Sequence, residues 1–239
     1  MVALIDWDNL DDRERRQGAR YVADKLWTTL GCLVPALLQG VQNFDVRLYG
    51  GWYGWNGARN ITPLATQLAA DVQNDFPFIL RDSSGSQSVK ISGELAHSLL
   101  RLPKQVLPHT FRQRQGSPRL SCGDPSKFGC TQPSCPMVVV HQFFSLRKCP
   151  ESSCTRTIDQ LLTRAEQKLV DTMLVADLIH LASSGETCLA VVSSDDDMWP
   201  GMLMAMSHGA HVVHVCTKHL SSRRLYEGAF QKQYTQGML

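Results

Sequence analysis

The sequence predicts an α/β fold on a mostly parallel sheet, and three observations carry that prediction. Val2 to Ile5 is an apolar run that ends on Asp6, with Asp8 and Asn9 just behind it. Leu189 to Val192 is a second such run, and it empties through Ser193 and Ser194 into Asp195, Asp196 and Asp197. Near the C-terminus, strand and helix patterns alternate, which implies parallel strands joined by crossover helices.

Each element has its own warrant. Residues 2–6 read as a fully buried strand, because continuous apolar runs suit strands covered on both faces. Residues 11–38 read mostly as helix: Ala19, Val22, Ala23, Leu26, Trp27 and Leu30 recur at helical spacing, and Pro35 starts or kinks a second short piece. Residues 46–49 form a short strand, followed by a turn rich in Gly and aromatic residues. Residues 62–74 suit a helix and 76–80 a strand. From about 82 to 155 the pattern breaks. This stretch holds Ser/Gly runs, seven prolines and five of the eight cysteines, with 137–144 as its one strand candidate. It is expected to be an irregular Cys-containing insertion, or a small lobe, within a single domain spanning 1–239. Residues 158–180 contain helix, with a start at Asp171 as an alternative. Residues 187–193 form a strand, 198–207 a helix stopped by His208 and Gly209, 210–216 a strand and 223–234 a last helix.

Bulk properties bound the function loosely. A chain of 239 residues, 43% hydrophobic, can bury a real core. Its net charge of +2 selects no partner. The N-terminus lacks the basic region of a signal peptide, and no apolar stretch is long enough to span a membrane. The cysteines do not form the pattern of a small secreted domain. A cytoplasmic protein with reduced thiols is expected.

The acids at the strand ends point to chemistry. In open parallel sheets, ligands bind outside the carboxyl ends of the strands. Carboxylates crowded there repel each other unless a cation lies between them. Hard oxygen ligands suit Mg2+ or Mn2+, which can neutralise a phosphodiester and activate water. Helix capping is the structural alternative for Asp197 and Asp12. It is a weaker account of Asp6, at the end of an apolar strand. Asp196 should point to solvent.

Three motifs in order then resemble the NYN domains, a branch of the PIN-like nucleases. They are Ile5-Asp6-x-x-Asn9, Glu166-x-Lys168-x-x-Asp171-x5-Asp177, and Ser193-x-Asp195-x-Asp197-x-x-Pro200. Gly209 to Val215, and Ser222, Leu225, Ala229 and Phe230, are similar to that family's final strand and helix. The resemblance covers roughly 1–75 and 156–235. It implies a three-layer α/β/α sandwich and metal-dependent hydrolysis of nucleic acid, RNA more than DNA. It implies that Asp6, Asp171, Asp195 and Asp197 hold Mg2+ or Mn2+ and that Asn9 steadies the first loop or touches a phosphate. Asp177 would lie about 120° around a helix from Asp171, which suits a supporting role. Leu169 and Asp196 replace residues that are usually small in the family, often Gly, and Asp8 is an extra acid.

Two other readings stand beside the ribonuclease. One is an NYN-like RNA-binding or regulatory module without catalysis. The other is a phosphatase of the haloacid dehalogenase type, which Asp6-x-Asp8 resembles, with segment 192–215 loosely like that family's acidic loop. Against it, Asn9 stands where Thr or Val is usual, and Trp199 where an acid is expected.

Substrate contacts are expected from Lys168 and from the acid-free stretch 95–123, which carries Arg101, Lys104, Arg112, Arg114 and Arg119. Arg112 and Arg114 are its central pair, and a solvated loop is the plain alternative. Trp52, Tyr53 and Trp55 are expected to pack against the core rather than stack on bases. Cys122, Cys130, Cys135, Cys149 and Cys154 allow a structural Zn2+, though their spacing is looser than paired C-x2-C. Cys32, Cys188 and Cys216 read as core residues. His211 and His214 should face opposite sides of a strand. A homo-oligomer is compatible with all of this.

Overall fold

A computed structural model describes residues 1–54, 61–81, 88–108, 110–116, 121–130, 132, 134–167, 169–218 and 228–239, with the side chains of 112–115 and 164–166 also left aside. Lys168, Trp55, Arg119 and segment 219–227 lie outside the described residues, as do the side chains of Arg112, Arg114 and Glu166. The chain divides into two compact units, residues 1–110 with 167–239, and residues 111–166.

The larger unit is an α/β structure on a seven-stranded sheet. Its elements run β1 (Val2–Asp6), α1 (Asp12–Gln17), α2 (Ala19–Leu33), α3 (Pro35–Leu38), β2 (Asn43–Tyr49), α4 (Pro63–Asp75), β3 (Phe78–Arg81) and β4 (Ser88–Leu95). The smaller unit holds β5 (Phe111–Gln115), α5 (Pro136–Leu146), α6 (Ile158–Leu161) and most of β6 (Thr163–Gln167). The larger unit resumes with α7 (Val170–Ser183), β7 (Cys188–Val192), α8 (Trp199–Ser207), β8 (His211–Cys216) and β9 (Tyr234–Met238).

The strand order is β3-β4-β2-β1-β7-β8-β9, and every pair is parallel except β3 with β4. Strand alternation divides the apolar residues between two clusters. Ala3, Ile5, Ala190, Val192, Val213 and Val215 pack with α2 and α4 residues such as Leu26 and Leu68. Leu4, Leu189, Val191 and Val212 pack with α7 and α8 residues such as Leu174 and Met202. Asp6 shares its side of β1 with Leu4, so the pleat aims it toward α7.

Several expectations need correction. The break expected at 82 falls at Phe111, because β4 pairs with β2 and β3, and Val89 and Ile91 enter the core. Residues 137–144 form part of helix α5 rather than a strand. Pro136 opens it, a position where proline's fixed φ suits a helix. The last helix does not reach Tyr234, which begins β9 alongside β8. Of the two readings of 158–180, the helix that starts near Asp171 is the one formed, as α7, with α6 and β6 before it. Cys32 is exposed rather than buried.

Candidate metal centre

The chain leaves β1 toward β2 on one side, and β7 later docks on the other side of β1. The mouth between the carboxyl ends of β1 and β7 is therefore a topological switch point, where parallel sheets bind ligands. Asp6 ends β1, and Ser193 to Asp197 follow β7 directly.

Three carboxylates meet there. Asp171, Asp195 and Asp197 each offer an oxygen, and the three oxygens all lie within 4.8 Å of one another. Asp171 is the second residue of α7, where the helix N-terminus favours negative charge. Leu169 enters that helix with φ 67°, a left-handed turn that costs a residue with a Cβ. Glycine would adopt that backbone without the strain. Asp195 caps the short turn Asp196–Met198 by accepting the Asp197 N–H at 3.2 Å. Helix α8 then packs closely on α7 through Gly201. A Cβ at Gly201 would stand 2.9 Å from a Val175 methyl carbon.

Asp6 lies beside this trio and is 2% exposed. Its Oδ2 accepts the Ser193 hydroxyl at 3.2 Å, whereas Oδ1 is buried and has no hydrogen-bond partner. Burial, followed by the charges of Asp171 and Asp8, pushes its pKa from 3.8 up to about 7. An orphaned buried carboxylate oxygen is costly and calls for an explanation, such as an ion. Hard oxygen donors of this number suit Mg2+ or Mn2+. Asp6 is close enough to feel Asp171 but stands outside the group of three.

Neighbouring polar groups hold the strand tips in place. Ser193 Oγ accepts the Asp195 N–H at 3.1 Å while donating to Asp6. His214 Nε2 donates to the Ser193 carbonyl at 2.8 Å, and its Nδ1 accepts from the Tyr234 hydroxyl at 2.9 Å. Burial holds this imidazole below its usual pKa, and so neutral. Asn9 Oδ1 accepts from the Ser194 N–H at 2.9 Å and from Thr217 Oγ1 at 2.6 Å, which ties the β1, β7 and β8 tips together. Asn9 thus joins the first loop to the segments that follow β7 and β8. Asp8 accepts the Gly51 N–H at 2.9 Å and pairs with Arg15 at 3.6 Å, and Asp196 is exposed.

Asp177 is no part of the trio. It is 1% exposed and accepts from Tyr49 Oη at 2.7 Å, the Leu100 N–H at 2.8 Å and Arg47 Nε at 3.3 Å. Arg47 also reaches Glu94 and the Ser98 carbonyl. Sequence reasoning missed Arg47, yet a lone cation within an apolar strand signals a buried partner. Trp52 and Tyr53 are buried, as their packing reading requires. His211 and His214 belong to opposite sides of β8 by alternation, and His214 is the buried one.

No family model, curated protein or solved structure matches the chain. A cavity of about 450 Å³ lined by Val2, Asp45, Arg47, Glu94 and Glu186 includes none of the acids of the trio. Among the described residues, no helix is long and apolar enough to cross a membrane.

Proposed function

We propose that this chain is a divalent-metal-dependent nuclease, acting on RNA in preference to DNA, with the three-layer architecture of the PIN-like enzymes that its motifs resemble. One observation carries the proposal. Asp171, Asp195 and Asp197 converge within 4.8 Å at the switch point, beside a buried Asp6 oxygen that has no hydrogen-bond partner. Those residues would hold Mg2+ or Mn2+. When bound, the ion supplies charge neutralisation at the scissile phosphate and a lowered pKa for the attacking water. Ser193 fixes Asp6 and the Asp195 backbone relative to each other, and Asn9 keeps the three strand tips in register. A cytoplasmic site of action accords with the reduced thiols.

The phosphatase reading is disfavoured because its acid, Asp8, is engaged by Gly51 and Arg15. The non-catalytic RNA-binding module remains the contrasting outcome of the test. Labelled RNA and DNA are incubated with Mn2+ and either the native chain or Asp195→Asn. The Asn side chain keeps an acceptor for the Asp197 N–H and removes the charge. RNA cleavage by the native chain, abolished by the substitution and by EDTA, is expected. RNA binding without turnover would favour the non-catalytic module. Cleavage unaffected by both would sink the proposal.

A further inference from the structure

The 111–166 unit differs from the rest of the chain in charge. It carries eight Lys and Arg against four Asp and Glu, so the chain's +2 divides into +4 here and −2 in the larger unit. Of these cations, Lys127, Arg147, Lys148 and Arg156 are exposed. Two of the four acids are engaged within the unit. Asp124 accepts the Ser126 N–H at 3.0 Å and its hydroxyl at 2.8 Å, and Asp159 pairs with Arg147 at 3.0 Å. A surplus of exposed positive charge is the footprint of an anionic partner.

One apolar side chain in this unit stands in water on a well-fixed turn. Phe128 is 83% exposed, more than any other large apolar side chain among the described residues. It closes the turn Pro125–Phe128, which Asp124 caps and the buried Pro125 anchors. Gly129 ends the turn at φ 81°, a left-handed position that suits glycine. The Cys130 N–H returns to the Pro125 carbonyl at 3.1 Å. One edge of the Phe128 ring lies against Gly123, where a Cβ would stand 2.9 Å from it. The segment before the turn is tied to α5, because His141 Nδ1 donates to the Cys122 carbonyl at 3.0 Å. Arg147 follows six residues after His141, roughly 9 Å along the helix. There a hairpin gathers cations. The Ile158 N–H bonds to the Arg147 carbonyl at 3.0 Å, the Cys149 N–H bonds to the Arg156 carbonyl at 2.9 Å, and Lys148 pairs with Thr157. Helix α5 itself carries no Lys, Arg, Asp or Glu.

We propose that the 111–166 unit binds single-stranded RNA, with an unpaired base stacked on Phe128 and neighbouring phosphates held by Lys148 and Arg156. An unpaired nucleotide joins a flat apolar face to a phosphate, which matches a projecting ring on a cationic unit. Bases within a duplex are stacked on each other and leave no face for the ring. A second copy of the chain would match the ring but would set +4 against +4. This inference deepens the nuclease reading by naming an unpaired strand as the substrate, and it rests on that reading for the choice of RNA.

The test measures binding rather than cleavage, on the full chain in EDTA. Anisotropy of a labelled oligouridylate should show binding, and an RNA duplex of the same length should bind more weakly. Phe128→Ala should weaken the single strand by roughly 5- to 150-fold without moving the Tm, and Phe128→Trp should keep the native affinity. Lys148→Ala and Arg156→Ala should each reduce the slope of log K against log salt by about 0.7, a change that Phe128→Ala does not make. A single strand bound no better than the duplex, native affinity in Phe128→Ala, or an unchanged salt slope in both cation variants would each overturn the assignment. The expected binding pattern without any Mn2+-dependent cleavage would sink the nuclease reading and leave this one standing. Cleavage by a Phe128→Ala chain that binds the strand at native affinity would do the reverse.

Discussion

The two units of this molecule are built differently. Residues 1–110 and 167–239 bury apolar side chains on both faces of a sheet, and the buried ion pair Arg47 and Asp177 is met by several hydrogen-bond partners. Among the residues of 111–166 whose burial is described, only Pro125 and Ile158 are buried, and the unit carries five free thiols. In the sheet unit, packing places the acids, and their mutual repulsion is a cost that a cation would relieve. Removal of metal should therefore leave the sheet unit folded.

The largest expected effect breaks the packed side of this contrast. Asp177→Ala strands the Arg47 guanidinium, which is 5% exposed, with Ser98 and a half-exposed Glu94 as its remaining partners. Removing one member of a buried pair costs about 3–5 kcal/mol. Urea unfolding should show this loss, while Mn2+ affinity of the folded chain stays at the native value. A loss of Mn2+ affinity at unchanged stability would instead place Asp177 in the ion site.

Asp6 comes next, because its repulsion belongs to the ion-free state. The folded carboxyl keeps its proton up to about pH 7, whereas the unfolded one releases it near 3.8. Between those values the folded chain binds more protons, so Asp6 contributes stability at low pH that is lost as pH rises. The gap is worth on the order of 4 kcal/mol. Asp6→Asn should remove that slope and be the more stable protein in EDTA at pH 7.5, with the difference shrinking toward pH 4. Saturating Mn2+ should stabilise the native chain more than the variant. A native-minus-variant difference that does not change with pH would show that Asp6 is not held protonated.

What the sequence made legible follows the same division. Strands β1 and β7 are buried on both faces, so they read as continuous apolar runs, and the acids after them were plain. The meeting of Asp171 with Asp195 and Asp197 was legible through motif order. Strand β4 was not. Ser88, Lys90 and Glu94 mask it as loop, and Gly93 looks like a breaker although the Phe76 ring occupies the place its Cβ would need. Helix α5 was misread because Val138 to Val140 are β-branched and suit strands. Strand β9 was misread because its residues are only half-buried and carry little pattern. The Ser193, His214 and Tyr234 chain had no local signal, since it joins three strands distant in sequence.

Gly201 tests how finely packing sets the trio. Gly201→Ala drives a methyl group against Val175, which overpacks the α7–α8 contact by about 1–3 kcal/mol. Asp171 belongs to α7, and Asp197 lies in the turn before α8, so the two should separate. Calorimetry should show weaker Mn2+ binding together with a lower Tm. A drop in Tm with unaltered binding would mean that the acids are placed by their own turns and not by the helix contact.

The smallest effect compares the two units directly, because each holds one described non-glycine residue at positive φ. Leu169 has φ 67° at the start of α7, and Arg147 has φ 55° at the end of α5. Glycine relieves about 1 kcal/mol of backbone strain at such a position. Leu169 is half-exposed, so Leu169→Gly loses little burial. Arg147→Gly gives up an exposed pair with Asp159, which is worth little. Leu169→Gly should raise the Tm of the sheet unit by a few degrees, because its strain is tied to a cooperative core. Arg147→Gly should leave that transition unmoved and slow hydrogen exchange only within α5. If Arg147→Gly raised the main Tm as much as Leu169→Gly, the two units would unfold as one.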